Sequence, residues 1–169
     1  MDKHDSFRAF VYGRERALMR TAYLLTGDPH LAEDLLQSVL AKVAQKWHKL
    51  EHDGHPEAYA RRALINEHIS WRRRRRHVEL PTEAPPERAA PGQDVTLKLA
   101  LKDALAKLTP KQRAVIVLRY YEDRTEKETA ELLRCSVGTV KSQTNYALSK
   151  LRALAPELLS DLSPEEVAR

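Results

Sequence analysis

The sequence is poor in the residues that staple, bend or stack a chain: one cysteine, five glycines, two phenylalanines and two tryptophans in 169 residues. A single thiol closes no intramolecular disulfide, so Cys135 reads as a small buried apolar residue in a turn. No apolar run approaches the roughly 18 residues of a membrane span, and no secretory hydrophobic stretch stands near the beginning, which reads as a soluble, intracellular, cytoplasmic chain. There is no Gly-rich phosphate loop, no metal-ligand cluster and no nucleophile paired with a base, so the expectation is a protein that is not an enzyme and holds no cofactor or metal. His52, Asp53 and His55 lie close together, but without a Cys or a third well-spaced ligand they read as solvated loop residues. Strand-like alternation is scarce.

What is abundant is helix-forming Ala, Leu, Arg, Glu and Lys, and the expected fold class is all-α. The net charge is +5, which points toward a polyanionic partner. Its distribution is more informative than its sum. Residues 1–77 carry 15 Lys and Arg against 10 Asp and Glu, and residues 96–155 carry 12 against 6. Between them, residues 78–95 carry 1 against 4, and residues 156–169 repeat that acidic balance. Two basic blocks are thus separated by an acidic connector and followed by an acidic tail.

Apolar residues Phe7, Phe10, Val11, Ala17, Leu18, Ala22 and Leu25 recur at helical spacing, and Thr26-Gly27-Asp28-Pro29 supplies a stop and a restart. Leu31, Leu35, Val39, Val43 and Trp47, four apart, predict one helix from His30 to Leu50. Pro56 opens a third, running to about Arg76, with Ala60, Leu64, Ile65, Ile69 and Trp71 as its apolar stripe. Arg72 to Arg76 go right around a helix. They fit a solvated helix end, a nuclear-import signal or phosphate contact. The last is favoured, because Asn66, Tyr59 and Trp71 beside them supply an amide and aromatic faces for unstacked bases.

Pro81, Pro85, Pro86, Pro91 and Gly92 exclude regular structure and mark residues 78–95 as a flexible linker. Helical spacing resumes at Leu97, Leu101, Leu105 and Leu108. Thr109-Pro110 opens another helix, with Ala114, Val115, Val117 and Leu118 on its inner side. Thr125 to Arg152 then reads as a helix-turn-helix. Ala130, Leu132 and Leu133 form the inner stripe of its first helix, and Ser136 caps a second whose apolar positions are Val137, Val140, Ala147, Leu148 and Leu151. The polar face of that second helix, Thr139, Lys141, Ser142, Gln143, Asn145 and Tyr146, suits phosphates and base edges in a major groove. On its own such a stretch also fits two helices of any bundle.

Four stretches in one order, TGDPHLAEDLLQSV at 26–39, the helix end from Asn66 to Arg76, LTPKQRAVIVLRYYED at 108–123 and AELLRCSVGTVKS at 130–142, resemble the extracytoplasmic-function (group 4) sigma factors of bacterial RNA polymerase, nearest the actinobacterial SigE-like branch. The resemblance implies two small helical domains joined by the acidic linker. Residues 5–77 would be a region 2-like domain that binds core polymerase and the −10 element. Residues 96–155 would be a region 4-like domain whose helix-turn-helix reads the −35 element as duplex, and residues 156–169 an acidic tail. It further implies core-polymerase contacts at Asp34, Leu35, Gln37 and Leu40. The melted −10 strand would be held by Asn66, Arg62, Arg72 and Arg73, and −35 contacts would come from Thr139, Lys141, Ser142, Gln143, Asn145 and Tyr146. The implied partners are core RNA polymerase, promoter DNA and an anti-sigma factor, with no membrane insertion. The turn position often filled by Gly in the family is Arg134.

The linker length is compatible with this. Eighteen extended residues reach roughly 60 Å, and two sites 16 to 18 base pairs apart lie roughly 55–60 Å apart on a duplex. A free flexible chain of that length averages only about 25 Å, so engaging both sites needs a scaffold to hold it open. The residues alone also leave room for a helix-turn-helix regulator that acts without being a polymerase subunit, and for a helical interaction protein with an incidental basic surface.

Overall fold

A computed structural model describes residues 2–75 and 93–156, all of whose regular structure is helical. The chain divides near His77 into two compact units.

The first unit holds α1 (Lys3–Thr26), α2 (Pro29–Gln45), α3 (Trp47–Asp53) and α4 (Pro56–Arg75). Gly27 ends α1 in the left-handed conformation at φ 71°, its N–H donating to the Tyr23 carbonyl, the backbone that glycine adopts at least cost. Asp28 then caps α2: its Oδ1 accepts from the His30 and Leu31 N–H groups at 2.8 and 3.0 Å, with Pro29 in the first turn. This is the stop and restart that the sequence predicts. The single helix expected from His30 to Leu50 is instead broken at Lys46, with Trp47 opening α3. Lys46 leaves helical geometry at φ −102°, ψ 8°, with no Gly or Pro to announce it, and the apolar spacing runs on because Val43, Trp47 and Leu50 enter one core. The expected loop at Glu51 likewise remains helical to Asp53, and Gly54 ends it at φ 77°.

Leu18, Ala22, Leu35, Leu36, Val39, Val43, Trp47, Ala60 and Leu64 form this core. Burying that apolar surface at roughly 25 cal/mol per Å² is the main force holding the four helices together. Phe7 and Phe10 meet Trp47 edge-on and tilted, with ring centroids 5.3 and 5.2 Å apart. The indole N–H is satisfied by Ser6 Oγ at 2.9 Å, which seats the start of α1 on α3.

In the second unit, α5 (Gln93–Ala106) begins inside the expected linker, so Gln93, Asp94 and Val95 are helical; residues 78–92 lie outside the described residues. The acidic tail beyond Pro156 lies outside them too. Helix α6 (Pro110–Ile116) is opened by a reciprocal cap in which Thr109 Oγ1 accepts from Gln112 N and Gln112 Oε1 from Thr109 N. It passes into a π-helical turn, Val117–Tyr121. Ala114, Val115, Val117 and Leu118 are buried as expected, whereas Leu101 is 38% exposed. Helices α7 (Glu126–Leu133) and α8 (Val137–Leu154) follow, and α8 packs on α6 and α5.

Candidate nucleic-acid interface

Helix α4 turns Ala60, Leu64, Ile65 and His68 into the first unit. Arg62, Asn66 and Arg73, four and seven residues apart, fall on one face, and all three are exposed. Arg72 is half-buried and falls by helical spacing on the side of Ile65 and His68, off that face. Arg76, the last of the arginine run, lies outside the described residues. Tyr59 and Trp71, expected as stacking faces, are partly occupied: both pack against the core, Lys46 Nζ sits 5.2 Å above the Tyr59 ring, and the Trp71 N–H is bound to Glu67 Oε1 at 2.9 Å.

Two carboxylates anchor this helix. Glu57 takes Arg14 of α1 at 2.8 Å and Arg61 at 3.0 Å. Burial raises its pKa, but the hydrogen bond from Arg61 and the charges of Arg14 and Arg61 outweigh that and hold it below the usual value. Glu67 takes Lys42 of α2, whose hydrogen bond is the largest cause of its lowered pKa, together with Trp71 and Arg74.

On α2, Asp34 and Gln37 are exposed and Leu40 is half-buried, so these three reach the surface. Leu35 does not. It is completely buried within the core formed by α1, α2 and α4, and its assignment as a polymerase contact is corrected to a structural one.

The joint before α8 is built locally. Arg134 takes the left-handed conformation at φ 54°, and Cys135 N donates to the Ala130 carbonyl at 3.0 Å. Ser136 Oγ accepts from Thr139 N at 3.1 Å, the predicted cap. Cys135 itself is half-buried. Val140, Thr144, Ala147, Leu148 and Leu151 face inward, whereas Val137, expected in that stripe, is 37% exposed. Opposite them, Ser142, Asn145 and Tyr146 are exposed, with Lys141 at one margin and Gln143, half-buried, at the other. Lys141 Nζ lies 3.8 Å from Glu126 on α7, and the half-buried Thr139 shares its hydroxyl with Ser136 at 2.9 Å. The six predicted residues therefore form one polar surface on a single helix.

Sequence reasoning missed Arg113, a buried cation in α6 whose guanidinium donates to the carbonyls of Leu105, Ala106 and Leu108. Its acceptors come from the preceding turn of chain, and nothing local signals them. It also missed the cap at Thr125, where Glu128 Oε2 accepts from Thr125 N at 2.8 Å and Thr125 Oγ1 from Glu128 N at 3.1 Å. That one was legible as Thr-x-x-Glu. Among the described residues, no three His, Cys, Asp or Glu side chains gather as a metal site, and no helix is long and apolar enough to cross a membrane.

Comparison with known proteins places these two surfaces. Residues 11–78 match the model of Sigma-70 region 2, and residues 104–153 that of Sigma-70, region 4. The chain is 43% identical over 150 residues to an RNA polymerase sigma-E factor of Streptomyces coelicolor, covering 86% of this chain and 84% of that one. It is 33% identical over 158 residues to the ECF RNA polymerase sigma factor SigL of Mycobacterium tuberculosis, with 89% of each covered. Among solved structures, it resembles the sigma factor RpoE of Bartonella quintana, crystallised in complex with the anti-sigma factor NepR. The TM-score is 0.67 and the identity 27%, over 92% of this chain and 98% of that one. The α4 face thus falls in region 2 and the capped α8 in region 4, and with both regions present in order the chain belongs to the extracytoplasmic-function sigma factors of RNA polymerase, on the sigma-E-like branch.

Proposed function

We propose that this sigma factor divides promoter recognition between its two polar helix faces. Residues 5–77 bind core polymerase through Asp34, Gln37 and Leu40 on α2, and hold unstacked bases of the melted −10 strand with Asn66, Arg62, Arg72 and Arg73 on α4. Residues 96–155 set Thr139, Lys141, Ser142, Gln143, Asn145 and Tyr146 of α8 against the −35 duplex. The acidic segment 78–95, less its helical last three residues, joins the two domains, and residues 156–169 form the tail. The observation that carries this reading is the line of exposed Arg62, Asn66 and Arg73 on α4. Cations there neutralise phosphates, and an amide can pair with a base edge.

The chemistry is recognition without bond making. The chain performs no catalysis, works in the cytoplasm with polymerase, and binds an anti-sigma partner; the sigma factor RpoE of Bartonella quintana is seen in complex with the anti-sigma factor NepR. The test is open-complex formation with Asn66→Ala at limiting protein. Loss of melting with retained core binding supports the assignment, and unchanged melting refutes it. A chain that instead forms a stable dimer and binds duplex tightly without polymerase would be a self-sufficient regulator.

A further inference from the structure

Glu67 follows Asn66 in sequence but faces the flank of α4. Its carboxylate takes two donors and a nearby cation: Lys42 of α2 pairs with Oε2, Trp71 Nε1 donates to Oε1 at 2.9 Å, and Arg74 Nη2, which donates to Ser70 Oγ at 3.3 Å, lies 3.6 Å from Oε1 as an ion pair. The Glu67 side chain is 13% exposed, against 48% for Lys42 and 67% for Arg74, so it is the inner member around which the others are arranged. An ordinary surface ion pair contributes little, and this one differs in kind. The Trp71 ring packs on the core, and the bond from its N–H fixes the ring's rotation about that contact.

Trp71 lies one turn beyond Glu67, and Arg72 and Arg73 follow it directly, so the contact that sets Trp71 also sets the turn from which Arg73 projects. Lys42 sits on the helix that carries Asp34 and Gln37. Without the carboxylate, nothing draws Lys42 and Arg74, which are like charges and repel each other, to the seam of α2 and α4.

We propose that Glu67 is a positioning residue for capture of the −10 strand: it aligns Trp71 and the Arg73-bearing turn of α4 and ties that turn to α2 through Lys42. This rests on the assignment of Asn66, Arg62 and Arg73 to the −10 strand. The role is indirect, since Glu67 itself repels phosphate and touches no DNA.

The experiment uses the full chain, bacterial core polymerase and a fluorescent promoter fork with a single-stranded −10 segment, comparing Glu67→Ala, Glu67→Gln and Asn66→Ala. Glu67→Ala is expected to bind core within about twofold of the parent and to weaken fork binding by the holoenzyme roughly tenfold, the equivalent of one charge-assisted hydrogen bond. Its tryptophan emission shifts to the red as the indole N–H turns to water. Glu67→Gln keeps an acceptor for Trp71 but no charge for Lys42 and Arg74; it restores the emission and part of the fork affinity. Wild-type fork binding by Glu67→Ala, with Asn66→Ala impaired, overturns the positioning role and leaves the −10 assignment standing. Wild-type fork binding by Asn66→Ala overturns the −10 assignment and this proposal with it. Equal losses of core and fork affinity together with a lowered melting temperature also overturn it, because they describe a general support of the fold. Should Glu67→Ala not fold, the Gln variant decides: fork affinity equal to the parent's overturns the role, and a selective loss of fork affinity upholds it.

Discussion

Arg113 Nε donates to the Leu105 carbonyl at 3.0 Å, a buried cation set on the end of the preceding helix. The last carbonyls of a helix carry its negative dipole end, and the Leu105 carbonyl, which already accepts from Leu108 N at 3.1 Å, has a second lone pair for the guanidinium. With further bonds to Ala106 and Leu108, Arg113 fixes the corner between α5 and α6, on which α8 rests. Arg113→Met is expected to destabilise the region 4 unit by about 2 to 3 kcal/mol, read as a fall in the urea midpoint. Arg113→Lys recovers only part of this, since an ammonium lacks the planar fork.

The joint ahead of α8 yields a pair of opposite effects. Arg134 sits at φ 54°, where a Cβ is strained, so Arg134→Gly is expected to stabilise by about 0.5 to 1 kcal/mol. Ser136→Ala removes the cap on Thr139 N and costs about 1 kcal/mol. Thermal melts of the two single variants and of the pair check both signs.

What the sequence showed and what it hid divide along the same physical line. Thr109-Pro110, Asp28-Pro29 and Ser136 were readable because a cap needs only the next three residues. Lys46 was not, because apolar spacing continues across the break. Leu35 on α2 reads equally as core or as contact, and only the packing of α1 and α4 over it decides. Val137 and Leu101 fit their stripes by spacing, yet no neighbour covers them fully. Arg113 and Glu67 were invisible for a related reason: each is defined by partners on another helix or beyond the local repeat. The polar faces of α4 and α8 were legible, because a face that must remain exposed is set by helical spacing alone.

Acid should loosen the first unit before the helices themselves melt. Glu57 and Glu67 have pKa values held below the ordinary 4.5, so folding favours their charged forms. That stability is fully present above the unfolded value and is lost as pH falls through the lower folded values. Urea midpoints measured from pH 7 to pH 3 should therefore fall below about pH 4.5. Glu67→Gln should flatten the fall more than Glu57→Gln, because the Glu57 side chain is 37% exposed and its pairs are better screened.

On α8, Lys141 lies at the margin of the proposed −35 face, its Nζ 3.8 Å from Glu126. The proposed −35 assignment makes it a phosphate contact, which carries charge without sequence information. Lys141→Ala should weaken binding of the holoenzyme to all −35 sequences alike and reduce the salt slope by about 1. Glu126→Gln, which frees the lysine, should strengthen binding at low salt. A change in −35 sequence preference would contradict a phosphate role for Lys141.

In the proposed function, one chain carries two recognition faces that act only when polymerase joins them. The most direct measurement is fluorescence anisotropy of the labelled chain titrated with bacterial core RNA polymerase, followed in the same cuvette by a promoter fork with a single-stranded −10 segment. Saturable binding to core that then enables binding of the fork is the expected result. Failure to bind a competent, related core, together with tight binding of duplex promoter by the chain alone, would contradict it.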